Sequence, residues 1–269
     1  MLKLNVLASG SRGNAAIVED AETGMGILID CGVTKKAFLE GCRSCGFDPS
    51  GLRAVLVTHE HTDHTKGLGV VLRGLAKLGV EGLPLITGAK ICCASKDIAA
   101  VEELCDVRPG LADGAEFAVA GTALRVRVFR TSHDASESFG FRISCEDGDT
   151  LGFMTDTGVV TGEAHDALAG CRLLALEANH DLAMLDAAPY PCSVKRRIAS
   201  DSGHLSNGQS ADELALLAHD GLETVVAMHI SENSNDYTLP RQALQSALIA
   251  AGSKAAVQSA FQHRPISVR

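Results

Sequence analysis

Thr58-His59-Glu60-His61-Thr62-Asp63-His64 decides how this chain is read. Three imidazoles and one Asp carboxylate fall in quick succession directly after the apolar run Ala54-Val55-Leu56-Val57. With 10 His in 269 residues, chance produces such a pattern in roughly two chains per thousand, which makes it far more specific than most short motifs. Neutral imidazole and carboxylate suit Zn²⁺ and, with more oxygen ligands, Mn²⁺ or Fe. His59 and His61 flank one residue in an extended loop and can point the same way. Asp63 and His64 begin the next turn and reach a second metal. A merely solvated loop would leave three imidazoles packed against an apolar strand unexplained.

The same arrangement recurs outward from this stretch. Residues 26–29 run into Asp30, 124–129 into Thr131, Ser132 and His133, and 151–154 into Thr155 and Asp156. Residues 173–176 lead to Glu177, Asn179 and His180, and 224–228 lead to His229. Short runs rich in Val, Ile and Leu predict buried strands, with titratable residues gathered at their ends. Between them, Leu68, Val71, Leu72, Leu75 and Leu78 recur at helical spacing, with Gly79 as the stop. Ser210-Ala211-Asp212-Glu213 reads as a capping box before Leu214 and Leu217, and Pro240 fits the first turn of a last helix. Strands and helices intermixed predict an α/β chain of sheets covered by helices.

Four local residues cannot complete two metal spheres. Asp156 is the expected carboxylate bridging both ions, while His133 and His229 close one sphere each. The expected sets are His59, His61 and His133 around one ion, and Asp63, His64 and His229 around the other. Asp63 counts among the catalytic groups as well. Asp30 is expected behind the ligands, holding an imidazole in its correct tautomer. His165, His219 and His263 lie outside such contexts and read as ordinary surface or helix residues.

Composition bounds the rest. With 46% apolar and 21% charged residues, the chain can bury a large core, which excludes intrinsic disorder. Its length predicts one domain over 1–269. The 24 basic residues against 33 acidic ones, a net charge of −9, argue against non-specific attraction to nucleic acid but leave room for a local basic site. The start MLKLNVLASGS lacks the apolar core of a signal peptide, and no apolar stretch is long enough to cross a membrane. Nine cysteines, an odd number without a framework, read as reduced thiols of a cytoplasmic protein. Cys42 and Cys45 form a CxxC with no second pair to complete a zinc site.

HxHxDH after a strand, then a later His, an Asp and a final His, resembles the metallo-β-lactamase fold superfamily over nearly the whole chain. The resemblance implies a four-layer αββα sandwich, two mixed sheets flanked by helices, with metals at one edge. Narrower motifs are similar to the YycJ (WalJ) family. They are Ser9-Gly10-Ser11-Arg12-Gly13-Asn14, Leu176-Glu177-Ala178-Asn179-His180-Asp181, Tyr190-Pro191 and Gly203-His204-Leu205-Ser206-Asn207. That branch implies a bacterial cytosolic hydrolase of phosphodiester bonds, with 5′-to-3′ DNA exonuclease activity. Two departures are Ala178, where the family tends to carry Ser, and Asn233-Ser234-Asn235, where it favours adjacent asparagines. Neither touches an expected ligand.

The expected chemistry is hydrolysis by a hydroxide bridging two divalent transition-metal ions, Zn or Mn with Fe as a further option. His204 is the expected phosphate contact and proton donor, with His180 as second choice. Gly10 and Gly13 permit a tight loop whose N–H groups approach a phosphate, although a plain hairpin turn explains them as well. Ser11, Arg12 and Asn14 of that loop, together with Asn179, are expected at the substrate. Lys195-Arg196-Arg197, the densest basic run, is expected to track DNA, against the bland reading of a solvated helix face. The alternatives are a hydrolase of a small cyclic phosphodiester, thioester or lactam, and a non-catalytic metal or Cys42/Cys45 redox sensor.

Overall fold

The computed structural model describes all residues, 1–269. The apolar runs become strands in two seven-stranded mixed sheets. In chain order the strands are β1 (Leu2–Ala8), β2 (Ala15–Asp20), β3 (Met25–Ile29), β4 (Leu52–Leu56), β5 (Pro84–Gly88), β6 (Asp106–Leu111) and β7 (Glu116–Ala118). They continue as β8 (Arg125–Arg130), β9 (Phe139–Ser144), β10 (Thr150–Met154), β11 (Leu173–Glu177), β12 (Thr224–Met228), β13 (Ala256–Ser259) and β14 (Ile266–Val268). One sheet runs β14-β1-β2-β3-β4-β5-β6, and the other β13-β12-β11-β10-β9-β8-β7.

The helices are α1 (Lys35–Cys45), α2 (Thr62–Thr65), α3 (Leu68–Ala76), α4 (Ala89–Ala94), α5 (Lys96–Ala99), α6 (Gly162–Leu168), α7 (Leu182–Ala187), α8 (Cys192–Ile198), α9 (Asn207–Leu217) and α10 (Leu239–Ala250). The apolar side chains of both sheets meet in one continuous core, where Leu4, Ile17, Leu56, Phe139, Phe141 and Leu151 are fully buried. The inner faces of α1 and α3 join it through Phe38, Leu68 and Leu75. A smaller cluster under α6, α9 and α10 covers the second sheet with Ala167, Leu168, Leu214, Leu244 and Leu248. This is the four-layer αββα sandwich of metallo-β-lactamase-fold proteins.

Two details follow local chemistry. Gly79 ends the third helix's last turn with φ 81°, a left-handed stop that glycine adopts without steric cost. The ninth helix starts one turn earlier than the Ser210 pattern predicts. Ser206 is its N-cap, and the reciprocal bonds of the capping box run between Ser206 and Gln209. Ser210 lies inside the helix and is buried, and Glu213 turns to His165 Nδ1 at 2.8 Å. A capping-box spacing thus occurs twice, as Ser206 to Gln209 and Ser210 to Glu213, and the helix starts at the first.

Candidate metal centre

Most of the strand-end residues converge at one site, to which both sheets contribute. His59 and His61 leave β4, His133 follows β8, and their ring nitrogens point inward together. His59 Nε2 lies 3.1 Å from His61 Nδ1, which lies 3.3 Å from His133 Nε2. Tetrahedral nitrogens around Zn²⁺ stand about 3.3 Å apart, given a metal–nitrogen distance of about 2.0 Å, so this triad fits a cation. Burial, reinforced by the neighbouring imidazoles, pushes the His59 pKa well down. Burial also lowers that of His133, against the pull of Asp156. Both rings are thus held in the neutral form that ligates.

A second donor set lies beside the first. Asp63 Oδ2 is 3.5 Å from His64 Nε2 and 3.7 Å from His229 Nε2. This set is rich in carboxylate, and its histidines respond. Burial disfavours the charged form of His64, but Asp30, Asp156 and Asp63 outweigh it and raise its pKa well above the ordinary value. Burial likewise opposes the charge on His229, yet Asp156, Asp63 and Glu177 raise it to about 10. Asp63 is held below the carboxylate range despite its burial, by His64 and His229.

Asp156 stands between the sets. Its Oδ2 is 3.5 Å from His64 Nε2, and its Oδ1 is 3.8 Å from His133 Nε2 and 3.4 Å from His229 Nδ1. Asp156 Oδ2 and His229 Nε2 are buried without any hydrogen-bond partner. Buried polar atoms seldom go unpaired, and an anionic one beside imidazole nitrogens fits a divalent cation. Asp156 (φ 54°) and His229 (φ 52°) both adopt left-handed backbone, as does Asp30 (φ 59°). Such conformations persist where surrounding structure enforces them.

Asp30 lies behind the cluster. His64 Nδ1 donates to Asp30 Oδ2 at 2.7 Å, which turns Nε2 toward Asp63 and Asp156, with Asn14 Nδ2 3.0 Å from it. The Thr58 N–H and hydroxyl satisfy the rest of that carboxylate at 2.8 Å each.

Glu177 was not singled out as a functional residue. Its Oε1 accepts from His204 Nδ1 at 2.8 Å and lies 3.1 Å from His229 Nδ1, while its Oε2 takes the Thr157 and Leu205 N–H groups. Burial opposes its charge, but His204 and His229 hold its pKa down. The signal was present: Glu177 closes a buried strand, as Asp30 and Asp156 do.

Other placements correct the expectations. Asn14 faces inward, its Oδ1 accepting from Gly10 N at 2.9 Å and its Nδ2 reaching Asp63 Oδ2 at 3.3 Å. Asn179 is buried and donates to the His229 carbonyl at 2.8 Å, bracing that left-handed turn. Both side chains hold loops and are spent before any substrate arrives. His180 does not join the cluster. Its ring is fully buried, neither nitrogen has a partner, and it lines a separate cleft with Ser206, Asn207 and Leu239.

Ser11 and Arg12 are exposed, with Arg12 Nε 3.1 Å from Glu232 Oε2. In the basic run, the Lys195 ammonium donates to the Asp186 carbonyl. Arg197 pairs with Asp134 at 2.7 Å, and Asp134 in turn lies 3.4 Å from His133 Nε2.

Two facing donor sets at the edge of an αββα sandwich define a class, and sequence comparison agrees. The Beta-lactamase superfamily domain matches residues 26–230, and the chain belongs to that family. Within it, the chain is 31% identical over 247 residues to Exodeoxyribonuclease YycJ of Bacillus anthracis, covering 92% of this chain and 89% of that one. It is 28% identical to Exodeoxyribonuclease WalJ of Streptococcus pneumoniae, covering 87% and 83%. The identity to the first, over nearly all of both chains, makes this a YycJ/WalJ-like hydrolase.

Among solved structures, YhfI of Bacillus subtilis superposes with a TM-score of 0.71 at 15% identity over 99% of each chain. Human short-form tRNase Z gives 0.67 at 18%, again over 99% of each. At these identities the likeness concerns the fold alone. No helix of this chain is long and apolar enough to cross a membrane.

Proposed function

We propose that the chain is a binuclear metal-dependent phosphodiesterase that degrades DNA from the 5′ end. The observation that supports the binuclear reading is Asp156, whose carboxylate lies between the two donor sets, Oδ2 3.5 Å from His64 Nε2 and Oδ1 3.8 Å from His133 Nε2 and 3.4 Å from His229 Nδ1. His59, His61 and His133 would hold one divalent ion, Asp63, His64 and His229 the other, and Asp156 would contact both. Zn or Mn suits these donors, with Fe as an option. Such ions, when bound, supply a nucleophile near neutral pH and neutralise charge on the phosphate. The names of the curated relatives support DNA as substrate.

The remaining chemistry belongs to side chains. Glu177 fixes His204 through Nδ1, so His204 Nε2 is the atom free to carry a proton. His204 is partly exposed, and its ring centre lies 5.0 Å from that of His133 and 5.1 Å from that of His229. From there Nε2–H donates to the leaving oxygen as the P–O bond breaks. Glu177 fixes the orientation of the ring through the Nδ1 hydrogen bond. Asn179 and Asn14 keep His229 and Asp63 aimed.

The deciding experiment incubates metal-reconstituted protein with DNA labelled at either end. Mononucleotides released progressively from the 5′ end are expected. Intact DNA alongside turnover of a cyclic phosphodiester, thioester or lactam would replace this reading with a small-substrate hydrolase.

A further inference from the structure

The acidic chain carries one surface where cations go largely uncompensated, away from the Lys195 run. A groove of about 480 Å³ between α1 and α3 is lined by Lys35, Lys36, Arg73 and Lys77 with Thr34, Val70 and Gly74, and by no acidic residue. Its four cations make a single ion pair, Lys36 with Glu40 at 3.9 Å. Thr34 also lines the adjoining cleft of about 550 Å³, which contains Arg12 and Lys66. Lys66 is two residues beyond His64, and its ammonium donates to the Arg12 carbonyl at 2.8 Å. Asn14, two residues past Arg12, touches Asp63. Thr34 is thus shared by the groove and the cleft, and the cleft's Arg12 and Lys66 each lie two residues in the chain from a side chain of the metal centre.

The helix dipole favours Arg73 and Lys77 at the end of α3, but it does not account for the pair on α1. Lys35 and Lys36 occupy the first turn of α1, which has no acidic residue, and positive charge there opposes the helix dipole. Gly74, inside α3, and Gly69, in its first turn, stand beside two of these side chains. A Cβ on Gly74 would meet Lys35 Cδ at 2.7 Å, and one on Gly69 would meet the Arg73 guanidinium at 3.3 Å. Glycine weakens a helix interior, and at Gly74 it leaves room for the Lys35 stem.

We propose that this groove carries the DNA strand to the metal centre, with backbone phosphates held by Lys35, Lys36, Arg73 and Lys77. The proposal rests on the DNA reading above. Point charges on long flexible stems suit phosphates without selecting bases, as an exonuclease needs. The run at 195–197 is the weaker candidate, because two of its three side chains are already bonded within the protein.

The test measures anisotropy of a fluorescein-labelled, hydrolysis-resistant phosphorothioate oligonucleotide, titrated with metal-loaded protein over a range of salt. Each phosphate contact to a single strand contributes about 0.7 to the slope of log K against log salt. The variant K35E/K36E/R73E/K77E should lose about 3 from that slope, and its KM for DNA should rise on the order of tenfold or more. G74A, which moves the Lys35 stem without changing charge, should lose about 0.7. It keeps the question open to refutation should the fourfold variant misfold. Wild-type binding with unchanged slopes in both variants would overturn the groove alone. Absence of DNA binding by the wild type would overturn the nuclease reading and the groove together.

Discussion

The two sheets repeat one plan and use it differently. Each has three antiparallel ladders followed by three parallel ones, and the change of direction falls at β3 in one and β10 in the other. Just past each of these strands sits an aspartate in left-handed backbone, Asp30 and Asp156. The Asp30 carboxylate is fully occupied by Thr58 and His64. Asp156 keeps a buried oxygen with no protein partner. Equivalent slots in the architecture thus divide the work: one aspartate fixes a ligand, and the other is left to be one.

Replacing the second aspartate gives the sharpest break in this comparison. Asp156→Ala should lower DNA hydrolysis by at least about 10³-fold, the equivalent of several kcal/mol. Metal analysis should find fewer than two ions per chain, with the thermal transition retained. Two tightly held ions in this variant would end the bridging assignment.

Next comes the histidine that the second sheet positions through Glu177. His204→Ala should keep both ions and reduce DNA hydrolysis by about 10²–10⁴-fold. A nitrophenyl phosphodiester, whose leaving group needs little protonation, should recover much of the loss. Equal losses on both substrates would assign His204 to phosphate binding, and loss of an ion would make it a ligand.

Asp30→Asn probes the other slot and should be milder. An amide nitrogen facing His64 Nδ1 favours the tautomer with Nε2 protonated, which cannot ligate. Metal affinity, read by competition with a chelator, should fall about 10–100-fold. An effect as large as that of Asp156→Ala would erase the distinction between the two aspartates.

The smallest expected effect concerns the seam joining the sheets. Asp149, between β9 and β10, accepts from Leu2 N at 2.6 Å and from Arg172 Nε and Nη2 at 2.7 Å each. Burial favours its neutral form, but Arg172 and the Leu2 N–H outweigh that and lower its pKa. Its stabilisation is therefore complete above the unfolded value, near pH 4, and fades as pH falls through the lower folded value. Asp149→Asn should cost about 1.5–3 kcal/mol at neutral pH and flatten the loss of urea resistance on acidification. An unchanged acid profile would show that the seam depends on neither charge.

What the residue pattern revealed follows from burial. Strands β4, β10, β11 and β12 are almost wholly apolar because neighbours cover both faces, so their runs stand out. Strands β1 and β2 are buried too, but Lys3, Asn5 and Glu19 interrupt the pattern. They satisfy one another across the ladder, Lys3 Nζ at 3.1 Å and Asn5 Nδ2 at 2.8 Å from Glu19 Oε2. Such a pairing is invisible until the strands are in register. Edge strands β7 and β14 have three residues each, too few to show a period.

The site divides in the same way. His59, His61, Asp63 and His64 announce themselves by proximity in the chain. The residues contributed by the second sheet come singly from separate strand ends, and residue type does not say which way each faces. The inward turn of Asn14 beside the first sheet and Asn179 beside the second is hidden from the sequence for that reason, and the part of Glu177 shows only with His204 and His229 beside it.

The left-handed backbone at Asp30, Asp156 and His229 also shapes how the gene can drift. An L-residue held in that conformation works against folding by about 1 kcal/mol, a burden that glycine escapes and asparagine reduces. From an aspartate codon, glycine and asparagine are each one nucleotide away. Either substitution at position 156 would ease the backbone while removing the carboxylate. Heat resistance alone, used to improve this protein in the laboratory, would enrich sturdier molecules that no longer work.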